Sequence, residues 1–172
     1  ALAEACVNAG ARTTLISGPV HCAAASGVDV VQVETTLEML EASLAAAGEA
    51  DIFIGAAAVV DFKPEVVATQ KIKRAESETM TLNLVSNPDI IATISALENR
   101  PSLVVGFAAE TNDVTAYARD KLHRKNLDFI FANDVSNEAI GFNSESNAGT
   151  LISADSEIAM AMSSKRVLAE MI

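Results

Sequence analysis

The sequence predicts an open, doubly wound α/β fold with a mostly parallel, Rossmann-like sheet. Three observations carry that expectation. Short runs of β-branched and apolar residues alternate with helical patterns at βαβ spacing. The strand runs are almost continuously apolar, as strands covered on both faces are. Polar residues gather where several of these runs end, the edge at which open α/β sheets bind ligands.

In chain order, "ALAEACVNAGA" reads as the back half of a helix closing at Gly10, where a C-terminal glycine with positive φ is favoured. "RTTLIS", "VDVVQV" and "DIFIGAAA" then read as strands. From Thr36, "TLEMLEASLAAAGEA" predicts a crossover helix with Leu37, Leu40 and Leu44 on one stripe, Thr35 or Thr36 as N-cap and Gly48 as terminator. The alternation continues with strand "MTLNLVS", helix "NPDIIATISALEN", strand "SLVVGFAAE", helix "NDVTAYARDKLHRKN" and strand "LDFIFAND". A polar loop, "VSNEAIGFNSESNAG", precedes a last strand near "GTLIS" and a closing helix, "SSKRVLAEMI".

A chain of 172 residues, half of them apolar, can bury its own core, and one domain over residues 1–172 is expected. Its formal net charge of -11 argues against a general nucleic-acid surface, which needs many Lys and Arg to displace counterions. Cys6 and Cys22 lack CxxC spacing, so neither a zinc site nor a disulfide framework is suggested. The longest apolar stretches, such as "LVVGFAA", fall well short of the roughly 20 residues that span a bilayer. A soluble, cytoplasmic protein with reduced thiols and no membrane partner is expected.

Candidate binding residues lie at the strand ends. Gly55, Ala56 and Ala57 would admit a flat ligand close to the backbone, although helix-to-strand packing explains such a run equally simply. Asp61 follows them, Glu110 ends "SLVVGFAAE", and Asn133-Asp134 ends "LDFIFA". Asn87-Pro88-Asp89 opens a helix and has an ordinary structural reading, Asn or Asp at the N-cap with Pro at N1. Lys71, Lys73 and Arg74 form the basic cluster "KIKR", while Lys121 and Lys125, four apart, share a helix face. Together these cations suit an anion clamp; individually, the helix pair can equally solvate the surface or meet Asp120 and Glu110. His21 and His123 have no metal-ligand spacing. No GxGxxG follows a strand and no GxxxxGK[ST] occurs, so neither a dinucleotide fingerprint nor a Walker loop is present.

Taken together, "AAAVVDFKPEVVATQKIKR", "NPDI", "GFAAET", "KLHRKNLDFIFANDV" and "GFNSESNA" resemble, in order and spacing, the phosphopantothenoylcysteine synthetase family, the ligase half of bifunctional bacterial coenzyme A biosynthesis proteins. The resemblance covers nearly the whole chain. It implies that the carboxylate of 4'-phosphopantothenate attacks the α-phosphate of CTP, releasing pyrophosphate, and that the amine of L-cysteine converts the acyl-cytidylate to an amide. Mg2+ accompanies the nucleotide. The resemblance further implies a catalytic role for Lys71 and nucleotide binding by Gly55, Ala56, Ala57, Asp61, Lys71, Pro88, Asp89, Ile90, Phe107, Lys121 and Lys125. It leaves the metal ligands unassigned.

It also implies a homodimer and an FMN-dependent decarboxylase half elsewhere in a longer parent chain. Where the family has "KIKK", this sequence ends in Arg74. Members carry a further strand, a glycine turn containing Ser-Gly-Lys and an Asn ahead of the helix with which this sequence opens, so the chain alone is expected not to complete the reaction. The doubly wound architecture alone also fits an NAD(P)-dependent oxidoreductase, and the segment missing ahead of the first helix fits a non-catalytic module retaining a nucleotide pocket.

Overall fold

The computed structural model describes residues 1–73, 79–110, 113–134 and 144–172. The first layer runs α1 (Leu2–Asn8), β1 (Thr13–Ser17), β2 (Val28–Gln32) and α2 (Thr36–Ala47). Gly10 takes φ +88°, the left-handed conformation its place after α1 requires. β1 and β2 form a two-stranded parallel sheet. Helix α2 starts in a capping box: Thr35 Oγ1 accepts the Glu38 N–H at 3.2 Å while Glu38 accepts the Thr35 N–H at 3.0 Å. Hydrogen bonds from the Glu34 N–H, at 2.7 Å, and from the Thr35 N–H hold the Glu38 carboxyl below its ordinary pKa.

Among the described residues the main sheet has five strands: β3 (Ile52–Gly55), β6 (Leu103–Glu110), β7 (Phe129–Asp134), β8 (Ser146–Ile152) and β9 (Glu157–Ser164), in that spatial order. β3, β6 and β7 are parallel, whereas β8 and β9 are antiparallel. A separate antiparallel ribbon pairs β4 (Phe62–Pro64) with β5 (Leu84–Ser86). α3 (Ile90–Ser95) and α4 (Val114–Arg124) pack on β6, and α5 (Lys165–Met171), capped by Ser164, packs on β8 and β9. The core lies in this larger layer: Val104, Ala108, Ala118, Leu122, Leu127, Ile130, Ala132 and Ile152 form one buried cluster, and Phe131, Leu151, Met160 and Leu168 another. Among the described residues no helix is long and apolar enough to cross a membrane.

Several elements depart from the sequence expectation. The stretch "MTLNLVS" contributes not a buried parallel strand but the short, exposed β5, which pairs with a β4 that the sequence reading omitted. β9 was also missed, because "EIAMAMSS" alternates small and large residues rather than forming a β-branched run. On α2 the buried positions are Ser43 and Ala47, while Leu37 and Leu44 remain exposed; the stripe facing the core is rotated from the one the leucines suggested. Asp89, not Asn87, caps α3, and Pro88 precedes the cap. Arg74, Thr111 and Asn112, and residues 135–143 of the polar loop, lie outside the described residues.

The turn from α4 into β7 locks the sheet to the end of α3. Asn126 adopts φ +52°, conformationally tolerable for Asn after a helix. Its amide donates to Ser95 O at 3.2 Å, and the Ser95 hydroxyl donates to Lys125 O. Arg100 donates to Asn126 O and pairs with Asp128, whose carboxylate also accepts the Val104 N–H at 2.7 Å.

β8 has an irregular register between Asn147 and Gly149. A Cβ on Gly149 would stand 2.4 Å from Ala132 O and 2.6 Å from the Phe131 ring. Gly149→Ala is therefore expected to lower stability by about 1–3 kcal/mol through overpacking. Gly48→Ala, which enters open space at the end of α2, should be near neutral. Denaturant midpoints of the two variants test the contrast, and equal midpoints would remove the steric argument.

Candidate functional site

β3, β6 and β7 run parallel, so their carboxyl ends share one edge. Gly55 pairs with Gly106 across β3 and β6, and β6 continues to Glu110 opposite Asp134 of β7. The two glycines leave room for α3. A Cβ on Gly55 would lie 2.8 Å from Ile91 Cδ1, and one on Gly106 would lie 3.3 Å from the same atom and 2.7 Å from Leu127 Cδ1. Packing thus accounts for Gly55, while Ala56 and Ala57 beyond it are exposed. Phe107 is half-buried, its ring centroid 5.5 Å from that of Phe131.

Asp89 is the most constrained candidate. One carboxylate oxygen caps α3 by accepting the Ala92 N–H at 3.1 Å, and the other lies 2.8 Å from Lys125 Nζ. Burial pushes its pKa upward, but the hydrogen bond from Lys125, that from Ala92 and the charges of Lys125 and Arg124 outweigh it, leaving the carboxyl below its ordinary value. A depressed carboxyl pKa means that the tie contributes above the unfolded-state value. It is lost as pH falls through the lower folded-state value. Lys125 itself is the C-cap of α4, so the end of one helix and the start of another meet through this pair.

The structure thereby ties Asp89, which Pro88 and Ile90 flank in sequence, to Lys125, and packs Ile91 of the same helix start on Gly55. Asp61 joins them through Asn87, whose backbone N–H donates to Asp61 O at 2.8 Å and whose side-chain amide donates to Val60 O at 2.9 Å. Lys121 is half-buried one turn before Lys125. Lys71 is exposed between β4 and β5, outside this set of contacts. Asp120 pairs with Arg124, four residues on, at 3.3 Å. His21 and His123 are exposed, and both cysteines are free. Among the described residues no group of three or more His, Cys, Asp or Glu is placed to hold a metal ion.

The sequence points to Asn87 only as an ordinary helix cap and does not single out Ile91 as a site-building residue. Ile91 was hidden because an isoleucine near the start of a helix is ordinary core, and only the glycine pairing gives it a special place.

The family model for the DNA/pantothenate metabolism flavoprotein C-terminal domain matches residues 1–172. The chain is 50% identical over 169 residues to the coenzyme A biosynthesis bifunctional protein CoaBC of Vibrio parahaemolyticus, covering 98% of this chain and 42% of that protein. It is 44% identical over 174 residues to CoaBC of Escherichia coli, covering 43% of it. The chain therefore spans less than half the length of these relatives. Among solved structures, the C-terminal domain of a CoaBC protein superposes with a TM-score of 0.80 at 32% identity, over 99% of this chain and 75% of the other. A DNA/pantothenate metabolism flavoprotein from Streptococcus pneumoniae, 18% identical with a TM-score of 0.79 over 99% of this chain and 82% of the other, shares the fold. On the match along its whole length, this chain belongs to the DNA/pantothenate metabolism flavoprotein C-terminal domain family.

Proposed function

We propose that this chain is a CTP-dependent ligase domain that joins 4'-phosphopantothenate to L-cysteine through an acyl-cytidylate. Membership of a family that includes CoaBC proteins supports the reading. The observation that carries it is the chain of contacts from Asp61 through Asn87 to Asp89 and Lys125, next to the end of β3, where Ile91 packs on Gly55. Doubly wound sheets bind nucleotides at the carboxyl ends of their strands, and β3 ends at Gly55.

The chemistry needs an activated carboxylate, because a free carboxylate is a poor acyl donor. In the first step a carboxylate oxygen of 4'-phosphopantothenate bonds to the α-phosphorus of CTP and the bond to the leaving pyrophosphate breaks. In the second the cysteine amine bonds to the acyl carbon, CMP leaves with the former carboxylate oxygen, and the amine loses a proton. Negative charge shifts onto phosphoryl oxygens in both steps, so fixed cations lower the barriers. Lys71 is assigned to that charge at the reacting phosphate. Lys121 and Lys125 are assigned to the polyphosphate, and the Asp61 carboxylate to the sugar hydroxyls. Gly55, Ala56, Ala57, Pro88, Ile90 and Phe107 are assigned to the nucleotide pocket.

Mg2+ would enter on the triphosphate. The chain has no preformed cage of carboxylates among its described residues, but Mg2+ in nucleotide sites is commonly held by substrate phosphates, water and only one or two carboxylates. When bound it would neutralise part of the phosphate charge.

A homodimer fits the same reading. Val60, Phe62, Val66, Val67, Ile72 and Leu84 in and around the β4–β5 ribbon are all more than half exposed. Apolar groups concentrated on a projecting ribbon suit burial against a second copy of the chain. Val66→Glu together with Val67→Glu is expected to shift the full-length protein toward monomer in sedimentation analysis. An unchanged association state would exclude this segment as the contact.

Two measurements on the full-length protein test the chemistry. Calorimetric titration is expected to give tighter binding of CTP than of ATP, since the site is assigned to a pyrimidine; equal or tighter ATP binding would overturn that assignment, and NAD(P)H binding without CTP binding would overturn the ligase. Lys71→Ala is expected to lower CTP-dependent pyrophosphate release by about 10²–10³-fold, the scale for removal of one preorganised donor at a charged transition state. Its melting temperature should barely move, because Lys71 is exposed and outside regular structure. Near-normal turnover would refute its catalytic role.

A further inference from the structure

Asn87 joins two segments distant in sequence. Its backbone N–H donates to Asp61 O at 2.8 Å, and its Nδ2 donates to Val60 O at 2.9 Å. Two successive carbonyls of the chain between β3 and β4 are therefore tied to the residue that stands just before Pro88 and Asp89. The Asn87 Oδ1 atom, by contrast, is buried and has no hydrogen-bond partner among the described residues.

That unpartnered oxygen offsets much of what the amide bond to Val60 O contributes to stability. A buried carbonyl without a partner is destabilising, whereas a neutral amide-to-carbonyl bond is only modestly stabilising. Replacing the side chain by a methyl group removes both, with opposite signs. The net effect on stability is therefore small, while the effect on the Val60–Asp61 backbone is not, because one of its two tethers is lost. The bond also needs an amide specifically. An aspartate of the same shape would turn a carboxylate oxygen toward Val60 O, setting acceptor against acceptor.

We propose that Asn87 is a positioning residue for nucleotide binding: its amide holds the Val60–Asp61 segment against the entry to α3 and so sets the Asp61 carboxylate relative to Asp89 and Lys125. The inference rests on the CTP-dependent reading of the site and names a residue that acts through Asp61 rather than by touching the ligand.

The test compares the full-length wild type with Asn87→Ala and Asn87→Asp by CTP calorimetry, steady-state kinetics and thermal melting. Asn87→Ala is expected to raise the KM for CTP by roughly five- to tenfold, the scale of one lost hydrogen bond. Its KM for cysteine should be unchanged, and its melting temperature should stay within a few degrees of wild type. Asn87→Asp should bind CTP more weakly than Asn87→Ala.

A merely space-filling role predicts the reverse order, since Asp matches the shape of Asn. That reverse order, an unchanged KM for CTP in Asn87→Ala, or a large loss of melting temperature alone would each overturn the positioning role and leave the ligase reading standing. Failure of the wild type itself to bind CTP would overturn both, and is recognised before any variant is made.

Discussion

The contact on which the candidate site depends is that of Ile91 with the facing glycines of β3 and β6. α3 has only six residues, far too few to persist as an isolated helix in water, so its location is decided by what it packs against. Gly55 and Gly106 stand opposite one another in register, and the absence of a side chain at either lets Ile91 approach the strands closely. Ile94, one turn on, is fully buried. With α3 seated, Asp89 at its start is placed beside the carboxyl end of β3. A side chain at Gly55 would press on the Ile91 side chain and push this helix, and with it the start of the candidate site, away from the sheet.

From α3 a closed circuit of bonds returns to the sheet. Asp89 meets Lys125, the Lys125 carbonyl accepts from Ser95 at the other end of α3, and Asn126 donates back to Ser95 O. Asp128 then engages both Arg100 and the start of β6. Few of these groups are deeply buried, and surface ion pairs of this kind contribute little to stability. Their shared effect is geometric, because each link fixes a backbone or side chain already fixed by another.

Much of this architecture was legible in the sequence where local and tertiary preferences agree. The N-cap at Thr35, the glycine after α1, and the apolar runs of β6 and β7 each satisfy their own backbone and burial requirements, and all form as read. Reading failed where the outcome depends on a partner remote in sequence. "MTLNLVS" carries a good strand pattern, but its partner is the Phe62–Pro64 segment rather than the main sheet, and no local signal separates the two. β9 exists because β8 presents an edge to it. Gly55 was open to two explanations, ligand approach or packing. Ile91, 36 positions away in the numbering and unremarkable by itself, supports the packing one.

The candidate cations pose a physical problem of their own, since a lysine meant for a polyphosphate should not lose its charge to a neighbouring carboxylate. The Lys125 pair resolves it by geometry. Asp89 uses one oxygen on the Ala92 N–H and the other on Lys125, so it is itself oriented before the ammonium group arrives. An ammonium has three donors, and a single carboxylate oxygen at 2.8 Å occupies one of them. The other two remain available to phosphoryl oxygens in the proposed complex. Lysine has a flexible four-carbon stem, and ordering it costs side-chain entropy of up to about 2 kcal/mol. Where Asp89 has already ordered Lys125, that cost is met before the nucleotide binds. The Asp89 carboxylate also repels anions, so in the proposed complex a triphosphate depends on Lys121 and Lys125 acting together, and on a bound cation, to offset that repulsion.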